Sequence, residues 1–242
     1  MTTVTKILIT ALVSLFFASC NWDINIGEGK KGNGNVVSEK RNVTEDFHTV
    51  KATEGLDVYV EQGDNMAVEV EADENIIEYI RTDISNGVLK IHTEERIGRA
   101  KSKKVHVRLP EVKALYSNSG ADLYGKGVIT ADNLILDASS GSDLKVEVAA
   151  SEVNCDSSSG ADIKVSGTAN VLIADASSGS NINARELTVK KCIAEASSGA
   201  DIIVNATEEL SASASSGADI NYLGNPEIVK KNKSSSGSVS QQ

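Results

Sequence analysis

The sequence predicts an all-β solenoid, a coil of strands stacked along one axis, and three observations carry that prediction. From Tyr116 onward a short motif recurs: Ser119-Gly120-Ala121-Asp122, Ser140-Gly141-Ser142-Asp143, Ser159-Gly160-Ala161-Asp162, three more copies at Gly179, Gly199 and Gly217, and a degraded one at Gly237. The glycines are 21, 19, 19, 20, 18 and 20 residues apart, the period of a solenoid whose coils differ only in their loops. Residues flanking each glycine alternate apolar with polar, the period of a strand with one dry and one wet face. With one Trp, five Tyr, three Phe and two Pro among 242 residues, the core must be built mainly from Val, Ile, Leu and Ala. That favours many thin layers over one bulky centre.

Before the repeat, Met1 to Ser19 reads as a secretory signal: one cation, Lys6, then an apolar run from Ile7 to Phe17 and two small residues. Phe17-Ala18-Ser19-Cys20 resembles the lipobox of bacterial lipoproteins, which implies cleavage and acylation at Cys20 and a bilayer anchor, each buried methylene contributing roughly 0.8 kcal/mol. Residues 20–44, with Gly27, Gly29, Gly32 and Gly34, are expected to form a flexible tether. The domain proper is expected over 45–226, with repeat coils from about 116 and a Ser/Gly tail or C-terminal cap over 227–242.

The lead-in, Phe47 to Leu115, reads as strands. Leu56, Val58 and Val60 alternate with polar neighbours, as do Val68-Val70, Leu89-Ile91 and Val105-Val107-Leu109. Asp73-Glu74-Asn75-Ile76-Ile77-Glu78-Tyr79-Ile80 has the acidic start and apolar spacing of one short helix, and Asn86-Gly87 marks a hairpin turn. Glu54-Gly55-Leu56-Asp57-Val58 echoes the later motif, which places the lead-in within the same β assembly.

Inside the repeat, the predicted inward columns are Leu123, Leu144, Ile163, Ile182, Ile202 and Ile220; Leu134, Val153, Leu172, Cys192 and Leu210; and Leu136, Cys155, Ala174, Ala194 and Ala212. The small residue after each glycine is expected inside a corner, with the glycine supplying the bend. Cys155 and Cys192 sit two coils apart, about 9.6 Å at the sheet spacing and beyond disulfide reach, so they are expected as buried free thiols.

The candidate binding face is the outward column two after each glycine: Asp122, Asp143, Asp162, Asn181, Asp201 and Asp219. A second acidic column, Asp137, Asp156, Asp175 and Glu195, lies four before. Hard cations want several carboxylates, but the period is about twice that of the calcium-binding nonapeptide and lacks its paired glycines. A solvated face whose Asp side chains cap the turns explains the column better, and no metal or other cofactor is expected. The basic run Arg96 to Lys104 reads as a charged hairpin loop able to meet anionic glycans or headgroups. Among aromatics near the repeat, Tyr116, Tyr124 and Tyr222 are the candidates for contacting sugar. His48, His92 and His106 read as ordinary strand positions, and no spaced nucleophile set appears, so no enzyme is expected. A net charge of −10 argues against nucleic acid as a partner.

The motif copies, with Phe47-His48-Thr49-Val50, Asn86-Gly87-Val88-Leu89-Lys90-Ile91 and Tyr222-Leu223-Gly224-Asn225-Pro226, resemble the head GIN domain family of auto-transporter adhesins. The resemblance implies a right-handed parallel β-helix and an adhesive or surface role, and brings no catalytic residues. The expectation is therefore a cell-envelope, outer-membrane lipoprotein, periplasmic or surface-exposed, that binds a glycan or protein. The alternatives are a degenerate polysaccharide lyase-like β-helix and an envelope structural protein without external ligand. Oligomeric state and membrane face are not readable.

Overall fold

The computed structural model describes residues 29–234 and 236–242. The signal sequence and Cys20 lie outside the described residues. The chain is a parallel β-solenoid of about seven turns, built on one sixteen-stranded sheet. In chain order the strands are β1 (Val36–Arg41), β2 (Thr49–Ala52), β3 (Asp57–Gln62), β4 (Ala67–Asp73), β5 (Ile80–Ser85), β6 (Val88–Thr93), β7 (Lys103–Leu109) and β8 (Ala114–Asn118). The repeat then gives β9 (Asp122–Ser139), β10 (Asp143–Ser158), β11 (Asp162–Ser177), β12 (Asn181–Ala196), β13 (Asp201–Ala214), β14 (Asp219–Leu223), β15 (Ile228–Lys233) and β16 (Ser238–Gln241).

β9 to β14 stack in parallel, one strand per coil, and the motif copies fall in register: Asp122, Asp143, Asp162, Asn181, Asp201 and Asp219 are successive partners. Every predicted inward column is buried. A fully buried Leu or Ile contributes roughly 1.5–3 kcal/mol, and because each coil rests mainly on the coils above and below, stability accumulates coil by coil. Cys155 and Cys192 are free and buried. Burial pushes both thiols up, Cys192 to about 12, so neither ionises near neutrality.

The turn is tighter than the sequence suggested. Whereas in the degraded seventh copy only Ser236 has positive φ, in the six copies from Ser119-Gly120 to Ser216-Gly217 both Ser and Gly do, as in Ser178 at 56° and Gly179 at 69°. This is the type I′ pattern, which joins strands with the right twist and normally carries Asn or Gly at its first position. Serine there pays a share of the roughly 1–2 kcal/mol left-handed cost. Ser178→Asn is therefore expected to raise the thermal midpoint by a degree or two, measured by circular dichroism, with a larger cumulative rise when Ser140, Ser159 and Ser198 are changed as well. Inside the corner, buried serines tie coils together: Ser142 Oγ donates to the Ser117 carbonyl at 2.6 Å and Ser180 Oγ to the Ser157 carbonyl at 2.7 Å.

The lead-in joins the same solenoid. β2 pairs in parallel with β6 and β8, and β3 with β7 and β9. Glu54 and Gly55 both have positive φ, the repeat's turn in degenerate form, and Asn86-Gly87 makes the expected hairpin between antiparallel β5 and β6.

Three expectations change. Of the segment expected as a tether, the described part is held in the fold: β1 lies antiparallel on β4, and Asp73 holds the preceding residues by accepting the Gly34 amide at 2.7 Å. The short helix reduces to a 3₁₀ turn over Ile77–Tyr79; Asp73 ends β4 instead of starting a helix, fully buried, and also accepts the Lys101 and Ser102 amides at 3.1 and 2.9 Å. The basic run 96–104 is no hairpin loop, because it links β6 to β7, which pair with other strands. Of the two forms expected after 226, the cap describes the arrangement: β15 pairs in parallel with β13 and β16 with β14, continuing the coil to its end.

Candidate functional site

The outward position four after each glycine builds a second column beside the acidic one. In register along it stand His106, Tyr59, Tyr124, Lys145, Lys164 and Asn183. Strands spaced about 4.8 Å apart bring adjacent side chains to stacking distance. Tyr59 stacks on His106 with centroids 5.2 Å apart and rings 15° from parallel, and on Tyr124 at 5.4 Å and 22°. Such pairs contribute about 0.5–1.5 kcal/mol beyond their buried area; with a ring on each side of Tyr59, the stack turns its edges to solvent and leaves one face of Tyr124 without a ring partner.

The longest coil shapes the rest. The 21-residue interval after Gly120 has two residues more than the next, and the register shows where they go: Gly125, Lys126 and Gly127 together oppose Val146. The bulge puts Lys126 Nζ 4.5 Å from the Tyr59 ring centroid, a cation–π contact. Beyond the bulge Gln62 ties β3 to β9, accepting the Thr130 amide at 2.8 Å and donating to the Thr130 carbonyl at 3.0 Å. The result is a groove of about 360 Å³ lined by Tyr59, Tyr124, Lys126, Lys145, Lys164 and Glu147, with Glu186 at its end. Lys164 pairs with Glu186 at 3.6 Å, whereas Lys145 is exposed and has no ion pair among the described residues. Burial, then the charges of Asp122, Asp57 and Asp143, hold the Tyr124 phenol above its usual range, so it stays a neutral donor.

A larger hollow, about 490 Å³, lies between Glu54 and Arg96. Its carboxylates are already engaged, Glu54 accepting from the Thr93 amide and hydroxyl, Glu94 paired with Arg81 at 2.8 Å and Glu95 with Lys30 at 3.3 Å; Arg96 and Lys103 have no ion pair among the described residues, but no aromatic ring lines the hollow. The groove at Tyr59 is the better candidate.

The acidic columns stand as expected, Asp143, Asp162, Asp201 and Asp219 exposed, Asp122 and Asn181 half-buried. Their turn-capping role is not found: among the described residues none of these side chains bonds to a turn amide, and the corner is held by the buried serines instead. Partial burial, then Asp143 and Asp57, raise the Asp122 carboxyl; burial, then Asp156, raise Asp137. A carboxyl whose pKa is raised by folding destabilises the fold while charged, a cost relieved as pH falls toward its unfolded value near 4. No group of three His, Cys, Asp or Glu among the described residues is disposed to hold a metal ion. Changing Asp143, Asp162 and Asp201 together to Asn is therefore expected to leave the neutral-pH thermal midpoint unchanged or slightly raised. Millimolar Ca²⁺ is expected to shift neither protein; a rise of several degrees in the parent, lost in the variant, would make the column a cation site.

Sequence reasoning found Tyr124 but missed Tyr59 and His106. Tyr222, expected to be exposed, is buried at 5%, packed under Lys231, whose Nζ lies 4.7 Å from the ring centroid. It sits two residues after inward-facing Ile220, which already assigns it to the dry face.

The comparisons with known proteins agree with this architecture. A solved structure described as a putative adhesin from Bacteroides fragilis superposes with a TM-score of 0.82 at 20% identity, covering 88% of this chain and 100% of that one. A putative adhesin from Parabacteroides merdae gives 0.70 at 19% identity, covering 88% and 98%. A putative lipid binding protein from Parabacteroides distasonis gives 0.66 at 20%, covering 88% and 99%. At these identities the likeness is one of fold. No curated protein matches in sequence. Residues 46–226 match the family described as "Putative auto-transporter adhesin, head GIN domain", and the chain belongs to that family.

Proposed function

We propose that the protein is a lipid-anchored adhesive module of the cell envelope that engages a glycan through its lateral face at Tyr59 and Tyr124. The observation that carries this is the solvent-facing His106–Tyr59–Tyr124 stack beside the Lys126 bulge. The face of Tyr124 without a ring partner suits the C–H face of a sugar, and a small cleft with a few placed polar groups suits a short saccharide. The exposed apolar side chains lie in other columns: Ile135 and Ile193 share one with half-buried Ile173, a short strip interrupted by Asn154 and ended by Ser211, which offers an acyl chain no continuous bed. The reading assigns no catalytic step.

Cys20, following a signal sequence, supports anchoring in a bilayer, with the short segment before Gly29 as the spacer. The test uses cells carrying the native protein, a deletion, or Tyr59→Ala/Tyr124→Ala, scored for attachment to glycan and matrix-protein surfaces, with protease shaving of intact cells to fix the membrane face. Loss of attachment in the deletion and the double variant, with the protein shaved from intact cells, is the expected result. Unchanged attachment in the deletion overturns the adhesive reading, as does a protein that shaving cannot reach.

A further inference from the structure

We infer that the groove beside Tyr59 and Tyr124 takes a single carboxylate carried on a saccharide, a uronate-type residue flanked by neutral sugars. The inference rests on the adhesive reading and names the ligand chemistry of its site. Lys145 directly follows Tyr124 in the outward column, is exposed, and has no ion pair among the described residues. A sugar ring lying on the Tyr124 face thus brings its edge to an ammonium without an ion pair. Lys126, held over Tyr59 by the bulge, stands on the other side, and the neutral Tyr124 hydroxyl can donate to a ring or hydroxyl oxygen. Charge-assisted hydrogen bonds of this kind are shorter and stronger than neutral ones.

The surroundings decide what kind of anion fits. Lys126, Lys145 and Lys164 share the groove with Glu147 and Glu186, which leaves one net positive charge. Asp57, Asp122 and Asp143 run along the neighbouring column, about 7 Å away along the strands and inside the roughly 8 Å screening length of physiological salt. A monoanion meets the local cation; a dianion or a chain charged at every residue also meets the acidic column. Isolated carboxylates on an otherwise neutral glycan satisfy both conditions.

The test is calorimetric titration of the purified full-length protein with four probes: a hyaluronan hexasaccharide, in which uronate alternates with a neutral sugar, a neutral chitin hexasaccharide, an oligogalacturonate charged at every residue, and inorganic phosphate. The hyaluronan probe is expected to bind best, about tenfold more weakly in Lys145→Gln, with Lys145→Arg restoring most of the loss and thermal midpoints unchanged. Equal affinity for the hyaluronan and chitin probes, indifferent to Lys145→Gln, overturns the carboxylate while keeping a glycan-binding site. Tighter binding of oligogalacturonate or phosphate overturns the preference for an isolated charge. No heat with any saccharide overturns the inference alone if cell attachment still depends on Tyr59 and Tyr124, and overturns the glycan reading too if it does not.

Discussion

Asp73→Ala is expected to lower stability by about 2–4 kcal/mol and to release the segment before β1. Its buried carboxylate accepts three backbone amides, from Gly34, Lys101 and Ser102, and buried donors left without a partner cost about 1–3 kcal/mol each. The lower part of that range applies, since Gly34 and Lys101 lie at the surface and their amides can rehydrate. Burial alone would raise this carboxyl, but the three amides outweigh it and hold it below the usual carboxylate range. A depressed folded-state pKa stabilises the fold above the unfolded value near 4 and loses that contribution as pH falls through the folded value. The parent is therefore expected to lose thermal stability more steeply than Asp73→Ala below about pH 4, and hydrogen exchange is expected to quicken at residues 30–41 and 98–102 in the variant. Unchanged exchange there would remove Asp73 as the anchor of the N-terminal strand.

Gly167→Ala is expected to be the more damaging change at a single atom. Gly167 lies between Val148 of β10 and Leu187 of β12 with φ at 107°, and a Cβ there would stand 2.0 Å from the Val148 carbonyl oxygen. That oxygen belongs to the ladder, so relief means displacing a strand. A cost of about 3 kcal/mol or more corresponds to roughly 6–12 °C in a domain of this size. Because each coil rests mainly on its neighbours, the break also uncouples β9–β10 from β11–β13, and the melting transition is expected to broaden. Gly160→Ala in the neighbouring turn, where a Cβ meets nothing within 4 Å, meets only the backbone cost and is expected to do much less.

The coils were legible in the sequence because a repeat states its own register. Once Gly120, Gly141 and Gly160 are aligned, Leu123, Leu144 and Ile163 must share one column and Asp122, Asp143 and Asp162 the next. The aromatic face was only half legible: Tyr59 stands four after Gly55 as Tyr124 does after Gly120, a signal the motif's echo at Glu54-Gly55 carried, whereas His106 belongs to β7, which follows no such glycine, and nothing local tells which coil it will lie on. Asp73 was misread because an acidic residue before apolar spacing looks alike whether it caps a helix or gathers amides from distant loops. β1 was missed because its partner, β4, runs antiparallel and shares no motif with it. The turn serines show a limit of composition: Ser-Gly signals a bend, but the left-handed φ of the serine is imposed by the stacked neighbours, not by its own preference.

The differences in coil length have a consequence for how such a molecule can diverge. Gly125–Gly127 opposes Val146, Ala184 and Arg185 oppose Val165, and the residues from Ala184 to Leu187 oppose Val204, all at the same edge of the rod, while a smaller shift sets Thr207 and Glu208 against Lys190; the ladder resumes beyond each. Residues can be gained or lost there while the columns beside the turns keep their register. The solenoid thus separates inheritance of the scaffold from invention at its edges, and a lineage can rewrite what the surface recognises one coil at a time while every other coil keeps its place.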